Sequence, residues 1–377
     1  MLLKNKFIKL FPCLLFIVTW SCDDLEESRY SGFMKIIDIG KNDLADFSIP
    51  TKDGGFLVLL RTDYSSNSCV LIKTDKGGNI LWEKRIFPYS PGSFSELKET
   101  SDGGYIMASY ALTKTDSTGI VQWSMNDPNT GYRSVIEIEN ENFVALTVNG
   151  LIKNISSEGQ ENWVSDIRDH RANQQYYSIG KISDGGYIVA GFSGSPKRIR
   201  LIKCEENGSI EWSKYLFSNN GNDNYFAYNV SETIDGGFII GGEYLDQSND
   251  QKEEQTLILV KTTSKGKLRW YKKRTTDGKK TTSSFTIESD RGDLIVLATT
   301  KIATDEQDIW LIKFDSDGKE LWNKFYETNR GWGSSVQQTL DGGFIISGST
   351  QAYEDKNNSN ALLIRTDKYG NTDSASN

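Results

Sequence analysis

The chain has 377 residues, of which 37% are apolar, 25% charged and 11% aromatic; it can bury a core, and this composition excludes a disordered protein. The net charge is −8, and Lys4, Lys6 and Lys9 fall in residues 1–21 with no acid, so the remainder stands three units more negative, at −11. A surface of that sign excludes binding along a nucleic-acid backbone, which needs clustered Lys and Arg, and it serves solubility.

The first element is an address. The three lysines precede a mostly apolar stretch, Leu10 to Val18, too short for a bilayer that needs about 20 residues. This is the layout of a secretory signal. Thr19-Trp20-Ser21-Cys22 follows, with a small residue directly before a cysteine. The segment resembles a bacterial lipobox, although Thr19 and Trp20 depart from its commonest pattern. Asp23, Asp24, Glu26 and Glu27 come next, similar to the surface-export signal of Bacteroidota lipoproteins. The resemblance implies a signal peptide at residues 1–21, a lipid on Cys22 and an acidic tether over 22–32. It also implies an outer-membrane or cell-surface location, with membrane contact made through the lipid.

From residue 33 onward the chain repeats itself. Asp-Gly-Gly followed by an apolar run appears at Asp53, Asp102, Asp184, Asp235 and Asp341, with degenerate copies at Asn140 and Asp290. It reads as a two-residue hairpin turn, in which the glycines supply positive φ. Between these copies lie apolar strands ending in Lys or Arg, beginning at Leu71, Leu112, Leu151, Leu201, Leu259, Leu311 and Leu363. Each leads to a turn glycine: Gly78, Gly119, Gly159, Gly208, Gly266, Gly318 and Gly370. Asp-x-x-Gly makes this second turn a slightly longer loop. In six of the seven, Trp stands four residues on, at Trp82, Trp123, Trp163, Trp212, Trp270 and Trp322. Two hairpins per unit, at about 50 residues per unit, make one four-stranded propeller blade. The Trp, on the outermost strand, is expected to pack against the neighbouring blade.

The strand before each Asp-Gly-Gly turn alternates. Leu97, Val135, Ile179, Val230, Phe285 and Val336 stand five residues before it, and Glu96, Ser134, Ser178, Asn229, Ser284 and Ser335 one step earlier. One buried strand face requires this alternation. Unit one breaks it with Phe47, Ser48 and Pro50. Unit seven lacks its Trp, and Phe33-Met34-Lys35-Ile36-Ile37 aligns with Trp322-Asn323-Lys324-Phe325-Tyr326. The expected fold is therefore all-β: a seven-bladed β-propeller over residues 33–371, closed by an N-terminal strand in the last blade. A polar tail covers 372–377. The repeats resemble propeller repeats of secreted and surface Bacteroidota proteins, and more distantly the Asp-x-x-Thr-Gly-x-x-x-Trp repeats of quinoproteins.

Tight turns should share one face, with the blade-to-blade connections and second-to-third-strand loops on the other. Sites form on loops held by a rigid frame. Candidate ligand-binding residues on that loop face are Phe94, Tyr176, Tyr177, Tyr225, Phe226, Tyr228, Trp332 and His170, the single histidine. Aromatic rings beside short polar groups suit a glycan, a peptide or a partner protein. No cofactor motif is present, and one His with two distant Cys cannot build a zinc site. Cys69 and Cys204 lie three units apart, too far for a disulfide. Asp315-Ser316-Asp317-Gly318 lacks the bidentate Glu of a calcium loop, with Tyr326 at that position. Two functions fit: a non-enzymatic binding or scaffold propeller, or a polysaccharide-cleaving or quinone-dependent propeller enzyme. The vicinal cysteine pair that the quinoprotein resemblance implies is missing from Cys69 and Cys204.

Overall fold

The computed structural model describes residues 32–40, 42–62, 69–86, 96–126, 131–169, 173–217, 223–246, 254–275, 280–303, 306–328, 330–351 and 358–372. They form seven four-stranded antiparallel sheets. Six sheets run in chain order from inside to outside. Their innermost strands are Leu44–Pro50, Glu96–Glu99, Tyr132–Glu137, Gln175–Lys181, Asn224–Glu232 and Lys280–Glu288. The seventh contains Trp332–Gln338, Phe344–Gln351 and Ser359–Thr366, and its outermost strand is Phe33–Ile37 from the start of the chain. Phe33 pairs with Arg365, Met34 with Ile364 and Ile37 with Ala361. The protein is a seven-bladed β-propeller closed by its N-terminal strand.

The core lies between blades. Second and third strands are apolar on both faces because a neighbouring blade covers each; Phe56–Arg61 reads FLVLLR and is buried through Leu60. One such layer joins blades seven and one through Ile345, Leu363, Val58 and Ile72. Each fully buried Leu or Ile contributes about 1.5–3 kcal/mol.

The outermost-strand Trp explains its own spacing. A Cβ on Gly119 of blade two would stand 2.9 Å from the Trp82 ring of blade one. The same contact recurs as Trp123 on Gly159, Trp163 on Gly208, Trp212 on Gly266, Trp270 on Gly318 and Trp322 on Gly370. Phe33 completes the circle, with its ring 2.6 Å from a Cβ on Gly78 of blade one. Only glycine leaves room for the ring, and its positive φ makes the turn.

The Lys that ends each third strand also has a role. Lys73 Nζ sits 2.8 Å from Asp53 and donates to Thr74 O at 3.0 Å. Lys114–Asp102, Lys203–Asp184, Lys261–Asp235 and Arg365–Asp341 repeat the clamp at 2.7–2.8 Å. The inner turn is tied to the third strand in this way. Burial alone would raise Asp53 and Asp102; hydrogen bonds from the Lys, the preceding Thr and the second glycine's N–H outweigh it and hold both at about 2.

Several expectations need correction. The Asp-Gly-Gly loop has three residues, since Gly54 N donates to Thr51 O while Thr51 N donates to Gly55 O. The outer turn closes identically, Gly78 N to Asp75 O and Asp75 N to Asn79 O, so it is no longer than the inner one. Only Gly54 needs positive φ (83°); Gly55 is glycine because a Cβ would collide with Thr74 O. Unit one does break the alternation, with Phe47 in the place of Ser335 and Ser48 in that of Val336, but its bulge is not the cause, because the innermost strands of all blades but the second carry a register shift. In unit six, Gly292 N donates to Ser289 O. Arg291 therefore stands where other blades have Asp, and the strand shifts by one. Phe285 then occupies the place of Ser335, and Lys313 clamps Asp293 instead, at 2.7 Å.

Candidate functional site: the loop-face mouth of blades three to five

The innermost strands ring the axis. Their polar residues hold neighbouring blades together there. Glu96 accepts from Val135 N (2.8 Å), Ser134 from Ile179 N (3.1 Å), Ser178 from Val230 N (3.3 Å) and Ser335 from Ser48 N (3.1 Å), while Asn229 donates to Thr286 O. Blades one and six put Phe47 and Phe285 at the corresponding position. These rings meet edge to face at 5.4 Å. Blades one and six are not neighbours, so this contact lies inside the ring and fills part of its axis.

One residue nearer the loop face sits the extra residue of each register shift. In blades three, four and five it is Arg133, Tyr177 and Tyr228. A bulge of this kind re-aims a side chain, and bulges gather beside functional sites. The Arg133 guanidinium lies 4.8 Å from the Tyr177 ring, and Tyr177 meets Tyr228 edge to face at 5.3 Å. Phe192, on the second strand of blade four, joins Tyr177 at 5.9 Å and Phe226 at 5.0 Å. Lys197, in the short turn between the second and third strands of blade four, places Nζ 5.1 Å from Phe192 and 4.7 Å from Phe226. Tyr228 donates to Glu243 Oε2 at 3.0 Å, and Gln255 donates to the same oxygen at 2.9 Å.

Electrostatics follow burial. Burial raises Glu243, with the bonds from Gln255 and Tyr228 acting the other way. It also raises Tyr177 and Tyr228, the latter further through the adjacent Glu243, and lowers Arg133. The mouth thus combines half-buried aromatic faces, two cations and a carboxyl whose titration burial shifts upward. Cation–π contacts of this type strengthen as water is excluded.

The structure separates the sequence candidates. Tyr177, Phe226 and Tyr228 come together. Tyr176 is buried between blades three and four, and its hydroxyl donates to Gln174 Oε1 at 2.6 Å. Tyr225 belongs to another group: it stacks on Phe217 at 4.4 Å and lies 5.1 Å from Tyr244. Trp332 is half-buried in blade seven, across the ring. Phe94, His170 and Cys22 lie outside the described residues. Sequence reasoning missed Arg133, Phe192, Lys197 and Glu243. Arg133 carried a signal, since it precedes Ser134 as Tyr177 precedes Ser178 and Tyr228 precedes Asn229.

Cys69 and Cys204 are free and buried, on the third strands of blades one and four. They form neither a disulfide nor a vicinal pair. Asp315 is a turn residue whose Oδ1 accepts from Asp317 N and Lys319 N. Among the described residues no His, Cys, Asp or Glu cluster could hold a metal ion, and no helix is long and apolar enough to cross a membrane.

No family model matches the chain, and no curated protein matches it. Solved structures do. The WD40 repeats of RRP9 superpose with a TM-score of 0.59 at 10% identity, covering 88% of this chain and 97% of that one. The WD40 propeller domain of Doa1 gives 0.56 at 13% identity, with the same coverage of each chain. A protein of unknown function from Bacteroides caccae gives 0.47 at 12% identity, over 76% of this chain and 94% of that one. At these identities the likeness is to the fold alone: the chain is built like a propeller.

Proposed function

We propose that this chain is an exported lipoprotein, anchored through Cys22 at the outer membrane or cell surface, whose propeller binds a glycan without transforming it. The grouping of Tyr177, Phe226 and Tyr228 with Arg133 and Lys197 at one loop-face mouth carries this reading. Aromatic faces offer apolar area to sugar rings, and their rigid strands lose little entropy on binding. The two cations favour a glycan bearing carboxylate or sulfate groups. The address at residues 1–27 supports the location.

The test is a glycan array probed with the chain lacking residues 1–22, followed by titration. Tyr177→Ala and Lys197→Ala should each weaken binding about tenfold or more, equal to 1.4 kcal/mol. Lys197→Ala should leave the melting temperature unchanged, and Tyr177→Ala should lower it by about 3 °C, as for a half-buried ring. Silence across acidic and neutral glycans, or binding indifferent to both substitutions, refutes the proposal; capture of peptides instead would reassign the mouth.

Glu243 favours a second reading. A buried carboxyl raised above its ordinary range suits the general acid of a polysaccharide-cleaving enzyme. Depolymerising the bound glycan would also need a second carboxylate to attack the sugar or to activate water, and Glu243→Gln would abolish cleavage while sparing binding.

A further inference from the structure

Gly32 and Phe33 fix where the N-terminal segment leaves the ring. Phe33 pairs with Arg365, and its ring covers the tight turn of blade one at Gly78. A Cβ on Gly32 would stand 2.7 Å from Thr372 Cα and 2.8 Å from Arg365 O, beside the last tight turn of blade seven. The segment therefore departs from the tight-turn face, at the rim shared by blades seven and one. From Cys22 to Gly32 the chain can reach no more than about 40 Å.

The turns around that exit differ from those of blades three and four, whereas blade five also presents an exposed apolar residue, Ile234, beside exposed Lys265 and Lys267. Leu340 in the inner turn of blade seven is 77% exposed and Tyr369 in its outer turn 57%. Lys368 stands beside Tyr369, with Nζ 5.4 Å from the ring. Lys52 and Lys76, in the turns of blade one, are exposed. On the far side, the turns of blades three and four present Glu139, Glu141, Glu158, Glu205 and Glu206, all exposed. An open cleft of about 430 Å³ lies there, lined by Asp184, Lys203, Glu205, Glu206 and Glu211.

We propose that the blade seven–blade one rim of the tight-turn face rests on the lipid surface that holds the anchor, with the acidic rim of blades three and four tilted away. The proposal rests on the reading that Cys22 carries the lipid. Three features converge at this rim. The tether leaves there, so the lipid holds it within reach. Leu340 and Tyr369 offer an apolar and an amphipathic side chain of the kinds that settle at the interface. Lys52, Lys76 and Lys368 attract anionic headgroups, which repel the glutamates opposite. The aromatic mouth of blades three to five then lies on the opposite face and above the lifted rim, farthest from the bilayer.

The full-length protein is purified in detergent and reconstituted into vesicles of phosphatidylcholine and phosphatidylglycerol containing brominated lipid. Tyr369→Cys and Lys197→Cys each carry a fluorescent probe; Cys69 and Cys204 are buried and stay unlabelled. The expected result is quenching at position 369 several-fold greater than at position 197. Adding Lys52→Glu, Lys76→Glu and Lys368→Glu together should cut quenching at 369 at least twofold. Equal quenching at both positions, or stronger quenching at 197, in a chain that carries the acyl group and floats with the vesicles, overturns this orientation alone. A mass spectrum without the acyl group overturns the anchor and this orientation together.

Discussion

Gly103 and Gly104 are adjacent, and alanine at each should fail for a different reason. Gly103 has φ +81° and nothing within 4 Å of an added Cβ. Alanine there suffers only the left-handed penalty, about 1–2 kcal/mol, partly offset by about 0.4–1 kcal/mol from a less flexible unfolded chain. The net cost is about 1 kcal/mol. Gly104 has ordinary φ, but its Cβ would collide with Thr115 O and lie 2.5 Å from Lys114 Nζ. The third strand must move, and the ammonium of Lys114 loses its hold on Thr115 O (2.9 Å) and Asp102 (2.8 Å). Hydrogen bonds to a charged group are worth about 1.5–3 kcal/mol each, so the cost is about 4 kcal/mol. The gap of about 3 kcal/mol corresponds to about 4 °C in melting temperature for a folded unit of roughly 340 residues. Thermal unfolding followed by tryptophan fluorescence measures it. Equal losses, or a larger loss at Gly103, would refute the close-approach account of the second glycine.

Phe33→Ala should cost about 2 kcal/mol, roughly half the range for a fully buried Phe, and speed hydrogen exchange at the amides of Ala361–Arg365; unchanged exchange there would contradict the clasp. Acid should act through the clamps. Asp53 and Asp102 titrate at about 2 when folded, against about 3.9 unfolded. Their contribution is whole above the unfolded value and is lost as pH falls from about 4 towards 2. The urea midpoint should thus hold steady from pH 7 to 5 and drop below 4, less steeply in Asp102→Asn; an equal drop in that variant would rule out the Asp102 clamp as a source. Burial raises both thiols, that of Cys204 to about 12. Maleimide at pH 8 should label neither Cys69 nor Cys204 until denaturant is added, and labelling of the native chain would mean that those strands are not buried.

Much of the ring could be read from residues with one dominant constraint. Each Trp needs a glycine beneath it in the next blade, so both recur at fixed offsets. Phe33 and Lys35 advertise the missing outer strand because they keep that spacing. The register of unit six was hidden by a local exchange. Asp290 looks like the repeated Asp, yet the turn is centred one residue later, and only the hydrogen bond from Gly292 to Ser289 reveals it. At the candidate site, Tyr177 and Tyr228 stood out as aromatics. Arg133 and Lys197 join them only through three-dimensional proximity, and Glu243 becomes unusual only once a neighbouring blade removes its water.

The shared last blade imposes an order of events on the chain. Phe33 to Ile37 emerges early during synthesis, yet its hydrogen-bonding partner is Ala361 to Arg365 near the other terminus. Until those residues arrive, the strand has no mate, the first and last sheets each lack a neighbour, and no intermediate length can shut the circle. A contact of such long sequence separation is slow to form. The ring therefore stays unsealed until Ala361 to Arg365 have been made, and its locking is the last step rather than the first.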